Sequence, residues 1–261
     1  MKNISEYIQS INNSERKVLS VFLTAGFPSK EKFLNYAETI LNNGADMLEV
    51  GIPFSDPLAD GSVIQASSQI ALEQGINLND VFEICDKLKT RTDKPIILMG
   101  YANPIMKYGT NKFCANAINS GVSGLIIPDV PLEEYDSFYT TEFSSLQKIM
   151  LTTPTSSNER IKKIDELSEG FVYCVSVTGT TGTRNNFDKT TFKNLERTYS
   201  LIKKNKMLIG FGISNAESVK SFIPYCDGVI VGSAVIKLIL EKKEMSELNS
   251  LISNLSEACK I

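Results

Sequence analysis

Short β-branched runs recur along this chain with helix-forming stretches between them, and that rhythm limits the folds open to it. The runs are VLSVFLTAG (18–26), MLEVGI (47–52), PIILMGY (95–101), GLIIPD (124–129), KIMLTTP (148–154), FVYCVSV (171–177), MLIGFG (207–212) and GVIVGSA (228–234). Between them, segments such as EKFLNYAETILNNGA and NERIKKIDELSEG carry apolar residues at helical spacing and close on a glycine, a common helix stop. Eight strand-then-helix units of about 30 residues each are the plan of a (β/α)8 TIM barrel, an α/β fold. The start, MKNISEYIQSINNSERK, places Ile4, Ile8 and Ile11 on one face of an extra N-terminal helix. No low-complexity linker or charge block divides residues 1–261, so a single TIM-barrel domain is expected. A doubly wound open sheet is the alternative.

Composition narrows the chemistry. The net charge of −3 is spread over mixed signs, which leaves no basic stripe for nucleic acid and no polybasic patch for a membrane. Five scattered cysteines, at 85, 114, 174, 226 and 259, show no CxxC or metal-like spacing and point to a reducing cytoplasm. The N-terminus is too polar for a signal peptide, and the longest apolar stretch, around VIVGSAVI, is too short to span a bilayer. The chain has no histidine. That removes Ser-His-Asp triads, imidazole bases and His-ligated metals together, and no metal site is expected. Acid–base work must fall to carboxylates, tyrosine, cysteine or lysine.

In a TIM barrel, catalytic groups lie at the C-terminal ends of strands and in the loops that follow. Lys148, Lys206 and Asp227 stand at strand starts and fail this filter, and no strand end offers a lysine for a Schiff base. The acids that pass are Glu49, Asp60 and Asp129, with Asp56 in the same loop as Asp60. Alternation puts Leu48, Val50 and Ile52 on one face of the second strand and Glu49 on the other. If the apolar trio packs on the outer helices, Glu49 faces the lumen, where desolvation raises its pKa toward the range useful for proton transfer. A structural glutamate paired with an arginine or a buried water is the other reading. Asp60 precedes the helical run SVIQASSQIALEQG and is equally readable as a helix N-cap. Asp56 reads as a turn residue, and Asp129 as a pocket residue or a cap.

GFGISN (210–215) and VGSAV (231–235) end strands seven and eight, where this fold holds phosphate on backbone amides and a helix N-terminus. TGTTGTRNN (178–186) after strand six reads as a lid, or as a plain exposed loop. Phe22, Ile64, Tyr101, Tyr173 and Phe211 at the same end suggest a flat apolar ligand portion, although each alone could be ordinary core.

The segment LEVGIPFSDPLADG (48–61) closely resembles the signature of the tryptophan synthase alpha chain family. FLTAGFPS, LMGYANPI, IIPDVPLEE, VSVTGTTG, GFGIS and VGSAVIK follow in family order, so the likeness covers essentially the whole chain. The resemblance implies retro-aldol cleavage of indole-3-glycerol phosphate to indole and glyceraldehyde 3-phosphate. It also implies no cofactor in this chain, and a partner beta chain that carries pyridoxal phosphate and receives indole through a tunnel, two alpha chains with two beta. By the same resemblance Glu49 is the general acid–base and Asp60 holds the indole N–H. Phe22, Tyr101, Asp129, Tyr173 and Phe211 line the indole and glycerol pocket. Gly182, Gly212, Gly232 and Ser233 contact phosphate, and Thr181 belongs to the lid. The lid reads GTTGT (179–183) where the family often has GVTGA. Pro53 and Asp56, in the Pro-rich loop PFSDPLADG, are the candidates for partner contact. The rival readings are a stand-alone indole-glycerol-phosphate lyase, a different phosphosugar isomerase or epimerase, and a non-catalytic phosphate-binding regulatory subunit.

Overall fold

The alternation that marks the eight runs as strands also closes them into a ring. In a computed structural model that describes residues 3–176 and 189–261, the strands are β1 (Val18–Thr24), β2 (Met47–Gly51), β3 (Ile96–Met99), β4 (Gly124–Ile126), β5 (Gln147–Thr152), β6 (Phe171–Val175), β7 (Lys206–Gly210) and β8 (Gly228–Val231). All neighbours pair in parallel, and β1 pairs with β8, so the sheet is a closed barrel in strictly sequential order. This is the expected TIM barrel, not the open sheet. Around it lie α1 (Ile4–Asn12), α2 (Lys30–Asn42), α3 (Ser62–Glu73), α4 (Leu78–Lys89), α5 (Ala102–Tyr108), α6 (Thr110–Asn119), α7 (Tyr135–Phe138), α8 (Asn158–Leu167), α9 (Lys189–Leu201), α10 (Ala216–Phe222), α11 (Ser233–Leu240) and α12 (Met245–Ala258). No helix among the described residues is long and apolar enough to cross a membrane.

Each strand divides its side chains between two cores. Leu19, Val21, Leu48, Val50, Leu98, Val172 and Ile209 pack outward with the helices. Val18, Met47, Ile97, Ile126, Ile149, Phe171, Tyr173, Leu208 and Ile230 fill the lumen. The N-terminal helix belongs to the second group. Ile4 and Ile8 of α1 are fully buried in the lumen cluster, and the Ile4 amide donates to Gln147 Oε1 at 3.2 Å. The face Ile4, Ile8 and Ile11 predicted from the sequence thus seals the N-terminal mouth of the barrel. Only the C-terminal mouth is left for a ligand.

Two glycines on lumen-facing positions make room for rings. A Cβ on Gly51 would lie 2.3 Å from Phe22 Cζ, and one on Gly210 would lie 2.1 Å from the Tyr173 hydroxyl. The close approach that only glycine permits is what lets Phe22 and Tyr173 lie across the lumen.

Candidate active site

Strand alternation sends Glu49 into the lumen, as expected, and there it is wholly buried. Oε1 accepts a hydrogen bond from Ser20 Oγ at 2.8 Å. Oε2 is buried with no hydrogen-bond partner among the described residues. Burial pushes the carboxyl up from 4.5 to about 8, against a downward pull from the Ser20 bond. A structural glutamate would be paired on both oxygens; this one is not. It holds a proton through neutral pH and can still release it.

Glu49 lines a cleft at the C-terminal mouth with Phe22, Asp60, Ile64, Met99 and Tyr173, and with Phe211, Gly212, Ile213, Ile230, Gly232 and Ser233. Nine of the sequence-selected residues thus share one cleft. Asp60 is buried, and burial raises its carboxyl while a hydrogen bond from Tyr101 lowers it. The Tyr101 hydroxyl also accepts the Ala59 N–H at 3.1 Å, and its ring packs on Phe54 at 5.2 Å. Tyr101 therefore acts on the cleft through Asp60 and the loop that carries it. The N-cap of α3 falls on Gly61, which makes no side-chain cap bond. The capping role that Asp60 could have had is absent.

Phe211 adopts φ +75, a left-handed backbone that a phenylalanine holds only at a cost of roughly 1–3 kcal/mol. Ser176 Oγ donates to the Phe211 and Gly210 carbonyls at 2.6 and 3.1 Å and clamps the turn. The result is a ring set edge-on to Tyr173 at 6.0 Å and 82°. Beside it, the two glycine-rich turns differ. Asn215 caps α10, accepting from the Ser218 N–H at 2.9 Å. Gly232 at the start of α11 has no side-chain cap, so the first-turn amides at Gly232 and Ser233, which share the cleft with Gly212, suit an anion.

The remaining selected residues lie outside this cleft or outside the described residues. Asp129 is exposed and does not line this cleft; both its oxygens accept the Ala102 N–H, at 3.0 and 3.2 Å, capping α5 from the neighbouring loop. It borders a neighbouring groove with Arg160, Thr153 and Val175. In the PFSDPLADG loop, Asp56 is exposed and takes the Ser55 hydroxyl, whereas Pro53 is buried. The exposed part of that loop is carried instead by Leu58, 83% exposed. Thr181, Gly182 and the lid segment lie outside the described residues. Sequence reasoning missed Met99, Ile213 and Ile230, apolar residues with no mark to set them apart from core. It also missed Ser20, which strand alternation with Phe22 would have placed in the lumen. Among the described residues no group of three or more His, Cys, Asp or Glu is gathered as a metal site would be.

A closed parallel barrel with a half-satisfied acid in its lumen and a second acid at its C-terminal rim has the site layout of the TIM-barrel enzymes. The sequence matches the family profile described as tryptophan synthase alpha chain over residues 8–260, and the chain belongs to that family, and with it to the enzymes of tryptophan synthesis. It is similar to the tryptophan synthase alpha chain of Flavobacterium psychrophilum, 38% identical over 257 residues that span 98% of this chain and 100% of that one. The corresponding chain of Thermoanaerobacter pseudethanolicus is 42% identical over 262 residues, 98% of this chain and 99% of the other. Among solved structures, the tryptophan synthase subunit alpha of Legionella pneumophila matches with a TM-score of 0.87 at 33% identity, covering 99% of this chain and 98% of that one. A chain of Mycobacterium tuberculosis tryptophan synthase matches with a TM-score of 0.91 at 27% identity, covering 100% and 99%.

Proposed function

We propose that this chain is a carbon–carbon lyase that cleaves indole-3-glycerol phosphate to indole and glyceraldehyde 3-phosphate. The observation that carries the reading is the half-satisfied carboxyl of Glu49, desolvated in the same cleft as Asp60. Protonated Glu49 gives its proton to indole C3, which leaves a positive charge on the ring nitrogen. Asp60, as its carboxylate, sits beside that N–H and stabilises the charge. Ionised Glu49 then takes the proton of the adjacent side-chain hydroxyl. The C–C bond breaks, the aldehyde forms, and the bonding electron pair returns to the ring. One proton enters and one leaves, so Glu49 ends as it began. Phe22, Ile64, Tyr173 and Phe211 surround the flat ring, and the amides at Gly212, Gly232 and Ser233 suit the phosphate; the family resemblance adds Gly182 to the phosphate contacts and Thr181 to the substrate-binding residues.

The reading needs no cofactor in this chain. Pyridoxal phosphate belongs to a beta-chain partner that consumes the indole, in an assembly of two alpha and two beta chains in the cytoplasm. Exposed Leu58 and Met106, 83% and 64% accessible at the same mouth, support docking there beside Asp56. The decisive experiment is indole release by wild type and Glu49→Gln, each with and without a beta chain. Loss of release with retained substrate binding is the expected result; a variant that still releases indole at near the wild-type rate overturns the assignment. A wild-type chain that runs equally fast alone would instead mark a stand-alone lyase.

A further inference from the structure

We propose that Ser20 is a positioning residue for this proton shuttle: it holds Oε1 of Glu49 as a permanent hydrogen-bond acceptor and leaves Oε2 as the one oxygen that gives and takes the proton. The inference rests on the reading of Glu49 as the acid–base of the cleavage.

The geometry is simple. Ser20 is fully buried on β1 and shares the lumen face with Phe22, while Leu19, Val21 and Leu23 pack toward the helices. The β1–β2 ladder, which pairs Ser20 with Met47 and Phe22 with Glu49, fixes the serine on rigid backbone below the carboxyl. Its hydroxyl donates to Oε1 at 2.8 Å, and Oε2 has no partner among the described residues. The carbonyl oxygen of a carboxylic acid is a much better acceptor than its hydroxyl oxygen, so with Ser20 donating to Oε1 the acid form carries its proton on Oε2. When that proton passes to indole C3, the Ser20 bond becomes charge-assisted and stronger. Oε2 then accepts the proton of the side-chain hydroxyl as the C–C bond breaks. Without the serine the two oxygens become equivalent, and the proton is shared between a productive and an unproductive site.

The other titratable groups facing Glu49 are Tyr173 from β6 and Asp60 from the loop after β2. Strands β3, β4, β5, β7 and β8 present Ile97, Ile126, Ile149, Leu208 and Ile230. Tyr173 is held well above its ordinary value by burial and by the two acids, and does not titrate alongside Glu49.

The test compares wild type, Ser20→Ala and Ser20→Thr for indole release across pH 5–10, with thermal unfolding as a check on folding. Ser20→Ala is expected to keep KM within about twofold and to lower kcat by roughly tenfold. It should also move the alkaline limb of kcat/KM upward by about one pH unit, because ionised Glu49 has lost its donor. Ser20→Thr retains the hydroxyl and restores the wild-type profile. The infrared carboxyl band that Glu49→Gln abolishes should titrate at higher pH in Ser20→Ala, a readout independent of turnover. A Ser20→Ala profile and band that superimpose on wild type, with Glu49→Gln inactive, overturn the proposal for Ser20 alone. An active Glu49→Gln overturns both it and the reading beneath it.

Discussion

Two buried acids three residues apart on the same segment of chain meet opposite fates. Asp46 stands just before β2 at the sealed mouth and is 5% exposed; Glu49 stands inside β2 and is wholly buried. Asp46 accepts from Arg16 Nη1 and Nη2 at 2.8 and 3.0 Å and from the Leu19 N–H at 2.9 Å. Arg16 in turn donates to the Gly44 carbonyl and to Ser256 Oγ, each at 3.1 Å. Among the described residues Glu49 has Ser20 alone. Burial is therefore a poor guide to the role of an acid. What separates a structural carboxylate from a working one is whether the fold supplies every partner or withholds some of them.

The comparison can be broken most forcefully at Glu49. Glu49→Gln is expected to lower indole release by at least about 10³-fold, and it should also change how stability follows pH. The folded carboxyl stands near 8 against an ordinary 4.5. In wild type its contribution is therefore fully present below about pH 4.5 and is lost as pH rises through 8. Glutamine has no such loss. Urea unfolding at pH 4 and pH 9 should show the variant gaining on wild type by on the order of 5 kcal/mol across that window. A constant difference would mean that Glu49 is solvated. Cleavage in wild type should also decline as pH rises through about 8, as the acid form is depleted.

Asp60→Asn should raise the barrier by about 3 kcal/mol with little change in stability, read as kcat/KM, because it removes a charge from beside the developing cation. A wild-type rate would reduce Asp60 to a loop residue. Asp46→Asn should do the reverse: about 2 kcal/mol of stability lost to a half-buried Arg16 without its carboxylate, with activity per folded molecule unchanged. Equal damage to activity and stability at both acids would erase the distinction drawn above. Smallest of all, exposed Asp56→Ala should alter stability by less than about 0.5 kcal/mol, yet reduce activation by a beta chain. Full activation in that variant would move the docking surface away from Asp56.

Much of this was legible in the sequence, for local reasons. Six of the eight strands fall within the β-branched runs and β5 and β7 start one residue earlier, and Ile4 and Ile8 face inward as the spacing of the first helix required. Glu49 points into the lumen because strand periodicity leaves it no other choice once Leu48 and Val50 pack outward. Asp129 was less legible, since a strand-end acid can serve a pocket or a helix, and here it caps α5 from another loop. Tyr101 was chosen as a wall of the pocket, but its hydroxyl reaches the Ala59 amide 42 residues away and steadies Asp60. Met99, Ile213 and Ile230 were invisible because an apolar strand end looks the same whether it faces ligand or core.

By itself the chain's order of residues determined the number and succession of the β/α units, the absence of imidazole chemistry, and the side of the strand from which Glu49 projects. These depend on composition and on a two-residue period, both local. Only the closed barrel decided that Glu49 would be stripped of water, that Ser20 would be its one donor among the described residues, and that Asp60 would be held by Tyr101. Desolvation is a sum over walls contributed by many strands, and a hydrogen-bond partner from another strand exists only once the ring has closed in register.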